Sequence, residues 1–493
     1  MMRGRVISTL FVLAALFAAA LAAPAARGQE AAPERHAPPQ RPRIPSRGVP
    51  STDLLISGGT VVTMDAQRRI LEDGAVLVRG TEILAVGSTK ELEARYPGAR
   101  RLDARGRIVL PGFIDGHTHA PMTLFRGIAN DLPLEDWLQK AIFPAEARNV
   151  TEDFCVWGTR LAALEMIRAG ITTFADMYYF EDAIARETKA AGMRGVLGET
   201  VIDFPVPDSR SPEQSFQQIE KFLERWKGDG LIRPAVAPHS PYTCSADTLK
   251  RAAALARQFH APLLIHVAET RHEREESLEK KHLSPVQWLD SIGFLGPDVV
   301  AAHCVWVDAD DMHTLAARGV GCVHNPASNM MLASGVAPVP GLLAAGVRLG
   351  LGTDGPAGSG NVLDMFQAMD LAAKLQKVSQ LDARALTAEQ ALEMATMGGA
   401  RALHLEDQIG SLEAGKQADI LLLRTGAAHE VPIYDLAAAI VYSMNPSDVE
   451  TVIIAGRVVM NDRRMLTLDE PSIIAKAKEY GAKVKQSLEP AAK

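Results

Sequence analysis

The chain has 493 residues, 47% of them hydrophobic, and carries a formal net charge of −7. That hydrophobic share is ordinary for a globular protein and supports a large core, while the absence of a basic excess leaves no electrostatic footprint for nucleic acid. The length exceeds one average domain and suits a barrel of about 250 residues with additions.

The N-terminus reads as a targeting segment. Arg3 and Arg5 precede an uncharged run over 6–26 rich in Ala and Leu, and Ala20-Leu21-Ala22 forms a small-x-small exit. The pattern predicts a signal peptide over 1–22 and an exported, periplasmic or secreted protein. An uncleaved run of that length would instead anchor the chain in a membrane; Pro24 and the alanine excess favour cleavage. Residues 23–52, rich in Pro, Arg and Ala, read as a disordered tether.

From Asp53 the pattern becomes globular. Short apolar runs at 53–56, 61–64, 75–79 and 83–86, parted by turns such as Ser57-Gly58-Gly59, predict strands of a small sheet over 53–107. The next run, 108–115, is broken by Pro111-Gly112 and leads into His117-Thr118-His119. Side chains two apart on a strand share a face, so these two imidazoles can hold one metal ion together.

Strands and helices then alternate. Helical stretches at 152–169, 181–191, 212–227, 246–258, 285–292, 309–317 and 339–345 lead into apolar strands at 171–177, 195–203, 232–238, 262–267, 299–305, 320–324 and 348–353. With 108–115 these make eight strands, and the alternation predicts a parallel (β/α)8 barrel over 108–404. Helices are expected at 361–377 and 387–403, and short strands return within 410–423 and 449–459. The expected partner of the barrel is a small β-sandwich domain built from both chain ends, 53–107 and 405–470, followed by a C-terminal helix and tail over 471–493. Cys155, Cys244, Cys304 and Cys322 form no C-x-x-C pair and read as buried free thiols.

His117, His119, His266, His303 and Asp354 each stand at the C-terminal end of an apolar run. Catalytic groups of such barrels gather at that end, and nitrogen and carboxylate ligands converging there describe an open catalytic metal site.

That order, with Leu110-Pro111-Gly112-Phe113-Ile114-Asp115-Gly116-His117-Thr118-His119 and Gly410-Ser411-Leu412-Glu413-Ala414-Gly415-Lys416-Gln417-Ala418-Asp419, resembles the amidohydrolase superfamily over most of residues 53–460. Finer segments, among them Pro238-His239-Ser240-Pro241-Tyr242, His266-Val267-Ala268-Glu269-Thr270 and His324-Asn325-Pro326-Ala327-Ser328-Asn329, look like the methylthioadenosine/S-adenosylhomocysteine deaminases and their chlorohydrolase relatives.

The resemblance implies that His117, His119, His266 and Asp354 bind one divalent ion, Zn²⁺ or Fe²⁺. Residues 233–239 hold no lysine for a second, bridged metal. It implies Glu269 as the proton shuttle, His303 as a group that polarises the nucleophile or steadies the intermediate, and Asp354 as a further proton acceptor. Glu146 is expected to bind a ribose diol, His239 to lie over the substrate, and Trp137 to shape the pocket. Glu199 is an acid where the family comparison places an arginine, and Arg210 downstream is a partial substitute, so neutral substrate tails are expected. The implied activity is hydrolytic deamination of an adenosine-type nucleoside. The alternative is deamination or dechlorination of another heterocycle such as guanine, a pterin or a triazine. A metal-free interaction scaffold is disfavoured because every ligand position and Glu269 are present. The expected partner is a small-molecule substrate, and a homo-oligomer is open.

Overall fold

The computed structural model describes residues 53–488. The expected signal peptide and tether lie outside the described residues, as do residues 489–493. Among the described residues, no helix is long and apolar enough to cross a membrane.

Eight parallel strands pair in chain order: Phe113–Thr118, Ile171–Tyr178, Arg194–Val201, Ile232–Pro238, Leu263–Val267, Val299–His303, Gly321–His324 and Arg348–Leu351. The last strand returns to the first. Asp354 N–H donates to the His117 carbonyl at 2.9 Å, and Thr353 donates its N–H and hydroxyl to the Asp115 carboxylate at 3.0 and 2.5 Å. This is the expected (β/α)8 barrel.

The helices outside it have readable causes. In Pro212–Trp226, Ser211 caps the Gln214 N–H, proline occupies the first turn, and Phe216, Ile219, Phe222, Leu223 and Trp226 recur at helical spacing to bury one face. Burying each such aromatic contributes about 1.5–3 kcal/mol. Gly192, at φ +82°, ends the helix Glu181–Ala191, in the left-handed geometry that glycine adopts freely.

Inside the barrel, Ile114, Ala175, Met177, Val196, Ala235, Leu264, Val300 and Val323 form one cluster with Ala400, Leu403 and Ile409. The last three belong to a plug at the N-terminal end of the barrel. The plug corrects one sequence expectation. The helix expected at 387–403 is two, Ala388–Met394 and Met397–Ala402, with Thr396 at φ −128° and ψ −100° between them. The break lets the Ala395 carbonyl accept from Ile114 N–H at 2.9 Å and turns Ala400 and Ala402 into the barrel.

A second correction concerns the run 108–115. Arg107–Pro111 pairs antiparallel with Ile420–Arg424 in a separate mixed sheet, and the barrel strand begins at Phe113. The chain crosses between sheets at Gly112, where a Cβ would lie 2.0 Å from Thr172 Oγ1. The mixed sheet has nine strands from both chain ends, in the order Arg464–Met465, Arg457–Asn461, Val449–Ile454, Ile420–Arg424, Arg107–Pro111, Leu54–Val62, Ile70–Arg79 and Glu82–Ser88, with Arg100–Asp103 also pairing with Leu54–Val62. One face supplies Ile56, Val76, Val109, Ile420, Leu422 and Ile453 to a common cluster, so the sheet wraps its own core as a sandwich does. The other face sets Ile108, Leu110, Leu421 and Leu423 into the cluster that surrounds the barrel. Residues 410–419, expected to open the second set of strands, are irregular. The terminal helix Glu470–Leu488 buries Tyr480 and Val484, with the Tyr480 ring edge-on to Phe154 at 5.7 Å. All four cysteines are buried free thiols.

Candidate active site and metal centre

The site is built at the C-terminal strand ends. His117 and His119 leave the first strand on one side, ring centroids 4.9 Å apart. Thr118 points the other way and donates to Asp176 Oδ1 at 2.6 Å; the same oxygen accepts from Ala120 N–H at 2.5 Å. One carboxylate therefore grips the chain on both sides of His119.

Two histidine tautomers follow from their partners. His119 Nδ1 lies 2.7 Å from the Met177 carbonyl, and His266 Nδ1 lies 2.8 Å from the His239 carbonyl. A carbonyl only accepts, so each Nδ1 carries the proton and each Nε2 presents a bare lone pair. Those Nε2 atoms nevertheless face each other at 3.4 Å. Asp354 Oδ1 lies 3.5 Å from His117 Nε2 and 3.4 Å from His119 Nε2. His117 Nε2 is buried without a hydrogen-bond partner. These acceptors, with the unpartnered His117 Nε2 beside them, repel one another unless a cation sits between them. A tetrahedral ion with ligand bonds of ~2.05 Å needs ligand separations of about 3.3 Å, which these match. The donor set fits one divalent ion, which His117, His119, His266 and Asp354 would hold.

The electrostatics agree. Burial pushes the His117 imidazole down to about 4, and burial and the neighbouring imidazoles hold His266 well below the usual histidine range, so both are neutral donors at pH 7. Burial pushes the Asp354 carboxyl up, but the neighbouring imidazoles of His117, His303 and His119 overcome this and hold it well below the usual carboxylate range.

His303 borders the centre. Its Nε2 lies 3.7 Å from Glu269 Oε2 and 3.9 Å from Asp354 Oδ2, and its Nδ1 lies 3.0 Å from Asn329 Oδ1. Glu269 is buried, and burial followed by the charge of Asp354 pushes its carboxyl well above the usual glutamate range. A buried carboxyl whose pKa is raised in this way is suited to taking up a proton and passing it on. Ser334 Oγ donates to Glu269 Oε1 at 3.4 Å, and Glu273 accepts the backbone N–H of Ala268 and Glu269 at 2.9 and 2.7 Å. Ala268, His303, Cys304 and Asp354 all have positive φ, from +48° to +74°. Non-glycine residues rarely hold that geometry, and its concentration at three strand ends marks strain kept for position.

A cleft opens above these groups. Its wall is the helical segment bearing Leu134, Trp137, Leu138, Ile142 and Phe143. Residues Trp137–Ile142 form a widened π-helical turn, and Trp137 Nε1 donates to the Ala357 carbonyl at 2.8 Å, tying the wall to the loop after the eighth strand. Glu146 also lines the cleft; Tyr178 and Tyr179 hydroxyls donate to its two oxygens at 2.7 and 3.5 Å. Burial pushes Glu146 up to about 7 against those two hydroxyls. His239 lines the cleft with its ring 4.7 Å from that of His266, and Ser240 and Thr243 hydroxyls hold its Nδ1 at 3.2 and 3.0 Å.

Glu199 and Arg210 do not belong here. The expectation that they meet the substrate tail is corrected by strand parity. On the third strand Val196 faces the barrel interior and Thr200 lines the cleft, so Glu199 points outward. Its Oε2 accepts from Glu181 N–H at 2.9 Å, beside a separate pocket it shares with Asp208 and Gln218. Arg210 is exposed, outside the cleft lining, with its backbone N–H on Gln214 Oε1 at 3.0 Å. Tyr178, Tyr179, Asp176, Ser334 and Glu273 were missed. The Asn325 and Asn329 motif was visible in the sequence without its role beside His303.

The sequence profile of the amidohydrolase family matches residues 108–459. The chain belongs to this family. A second profile, of an imidazolonepropionase-like composite domain from bacteria, matches residues 74–99. The amidohydrolase is 48% identical to a 5-methylthioadenosine/S-adenosylhomocysteine deaminase of Syntrophobacter fumaroxidans, over 89% of this chain and 100% of that protein. It is 42% identical to a 5'-deoxyadenosine deaminase of Methanobrevibacter smithii, over 84% of this chain and 94% of that protein. Its fold matches the crystal structure of an adenosine deaminase from Xanthomonas campestris with bound zinc at a TM-score of 0.86 and 38% identity, over 88% of this chain and 99% of that one.

Proposed function

We infer that this amidohydrolase is a hydrolytic deaminase of adenosine-type nucleosides, releasing ammonia and leaving the inosine analogue. The observation that carries the reading is the convergence of the four ligand atoms with Glu269 and His303 at the floor of a cleft whose side holds the Glu146 carboxylate. The deaminase relatives support it. Three imidazoles and a carboxylate suit zinc, which the Xanthomonas campestris relative holds. A divalent ion bound there supplies Lewis acidity and makes water a better acid.

The protein groups then divide the proton work. Glu269 takes a proton from the attacking water and passes it to the ring nitrogen beside the amino-bearing carbon. A C–O bond forms at that carbon, the C–N bond breaks, and a ring carbonyl remains. His303 Nε2, facing both Glu269 and Asp354, steadies the charge that develops there. Asp354 Oδ2, turned toward His303, can carry the second proton to the departing amine. Glu146, when ionised, accepts the ribose hydroxyl protons, and His239 flanks the ring or sugar.

The cleft also sets the tail. Its wall is apolar, no lysine or arginine lines it among the described residues, and Glu146, Glu269 and Asp354 are all acids. Neutral 5′ substituents, as in methylthioadenosine or 5′-deoxyadenosine, are therefore favoured over the amino-acid tail of S-adenosylhomocysteine.

The test is ammonia release by the metal-loaded protein across adenosine-type nucleosides, guanine, a pterin and a triazine. Turnover confined to the nucleosides supports the reading, and turnover only of a free base or triazine contradicts it. We also propose removal of residues 1–22 on export, supported by the charge and apolar pattern of that segment. Protein from the native host should begin near Ala23; an intact Met1 would refute cleavage.

A further inference from the structure

We propose that His429, Glu430 and Asp448 form a second divalent-cation site, a structural clip remote from the catalytic cleft. The catalytic site passed a simple test: buried acceptors without enough donors, spaced as tetrahedral ligands are. Among the described residues, one group elsewhere also places three ligand atoms within 4.8 Å of one another, and it is this one.

Glu430 and Asp448 are 3% and 1% exposed. Two buried carboxylates this close call for a shared proton or for positive charge. Their ion pairs among the described residues are with His429 alone: its Nε2 lies 2.9 Å from Asp448 Oδ2 and 3.8 Å from Glu430 Oε1. A proton on Nε2 would answer Asp448. It would not answer Glu430, whose Oε1 is buried without a hydrogen-bond partner and faces the same nitrogen. Among the described residues the nearby arginines make no ion pair with either carboxylate: Arg424 donates to the Ser447 carbonyl and Arg463 to those of Pro446 and Val449. The Ala427 and Asn445 N–H groups donate to Glu430 Oε2 and Asp448 Oδ2, each at 2.9 Å, and Asn445 Nδ2 lies 3.2 Å from His429 Nε2, but none of them brings a charge or satisfies Glu430 Oε1.

A divalent ion answers both carboxylates at once. The separations of 2.9 and 3.8 Å bracket the ~3.3 Å edge expected for tetrahedral bonds of ~2.05 Å. One imidazole and two carboxylates suit Zn²⁺ or Mn²⁺. His429 is 41% exposed, so the site opens to solvent and an ion can enter.

The position gives the clip a purpose. His429 and Glu430 lie in the loop leaving the strand Ile420–Arg424, and Asp448 ends the short turn Pro446–Asp448 that re-enters the sheet at Val449–Ile454. Between them the chain leaves the sheet to form the helix Leu436–Tyr442. A shared ion ties the two ends of that excursion.

The experiment is a Zn²⁺ titration of chelator-stripped protein at low micromolar concentration, read by native mass spectrometry and by thermal melting. Wild type should take two equivalents, and His429→Ala and His266→Ala one each. Glu430→Gln should weaken the second equivalent at least tenfold. The melting rise from the second equivalent should vanish in His429→Ala, a surface change that leaves the core intact. A single equivalent in wild type, or two in His429→Ala, would overturn the site. Neither result bears on the deaminase reading, because catalytic loading is followed separately through His266.

Discussion

The two ends of the barrel are built on opposite principles. At the N-terminal end, Ala400, Leu403 and Ile409 fill the interior against Ile114 and Val323, with Gly399 so close that a Cβ would sit 2.9 Å from Ile114 Cβ. At the C-terminal end, three imidazole nitrogens and a carboxylate converge, non-glycine residues hold positive φ, and a glutamate is buried beside an aspartate. One end spends its sequence on packing. The other keeps mutually repelling acceptors and strained backbone together, as a cation-binding catalytic site would. Substitutions at the two ends should therefore fail differently.

The largest effect is expected from His266→Ala. A three-ligand remnant holds its ion weakly, so metal content at the catalytic site and ammonia release should both fall to background. Retained metal with full turnover would remove His266 from the ligand set. Glu269→Gln sharpens the contrast within the same end. It should keep the metal, measured by elemental analysis, and lose ~10²–10⁴-fold in kcat, because the amide cannot shuttle a proton. At the packed end, Leu403→Ala should cost about 2–5 kcal/mol in denaturant unfolding and leave kcat of the folded enzyme near wild type. A kcat loss without a stability loss there would break the comparison.

Two smaller effects probe the cleft above the metal centre. kcat/KM for S-adenosylhomocysteine should fall about tenfold to a hundredfold below that for methylthioadenosine, the value of a missing charge-assisted contact to a carboxylate. Equal values would show that a cation reaches the tail. Glu146, raised to about 7 by burial, must be ionised to accept hydroxyl protons. As pH falls through 7 it protonates, so kcat/KM for ribonucleosides should drop by up to about tenfold per pH unit below it. Glu146→Gln should remove that limb of the profile; an unchanged profile would take Glu146 out of substrate binding.

Much of this was legible in the chain because the barrel's strands are apolar runs and its ligands are polar residues set at their ends. His117, His119, His266, His303 and Asp354 each interrupt such a run. The failures have physical reasons. A strand buried on both faces shows no alternation, so nothing in residues 195–203 revealed that Thr200 faces the cleft and Glu199 does not. The crossing at Gly112 hides inside one hydrophobic stretch, because both sheets want the same side chains. The break at Thr396 answers to the barrel's need for a plug, which local helix propensity does not encode. The tyrosines that grip Glu146 come from the end of the second barrel strand and meet it only on folding. No glycine marked the positive φ of His303 and Asp354, since the strain is imposed by the closed barrel around them.

The central claim is that the convergent lone pairs form a catalytic metal site for nucleoside deamination. Its most direct test is ammonia release from adenosine and methylthioadenosine by chelator-stripped protein before and after Zn²⁺ is restored, in wild type and His266→Ala. Activity absent in the stripped protein, restored by Zn²⁺ in wild type and not in the variant, is the expected result. Full turnover by stripped protein, or restoration in His266→Ala, would contradict it.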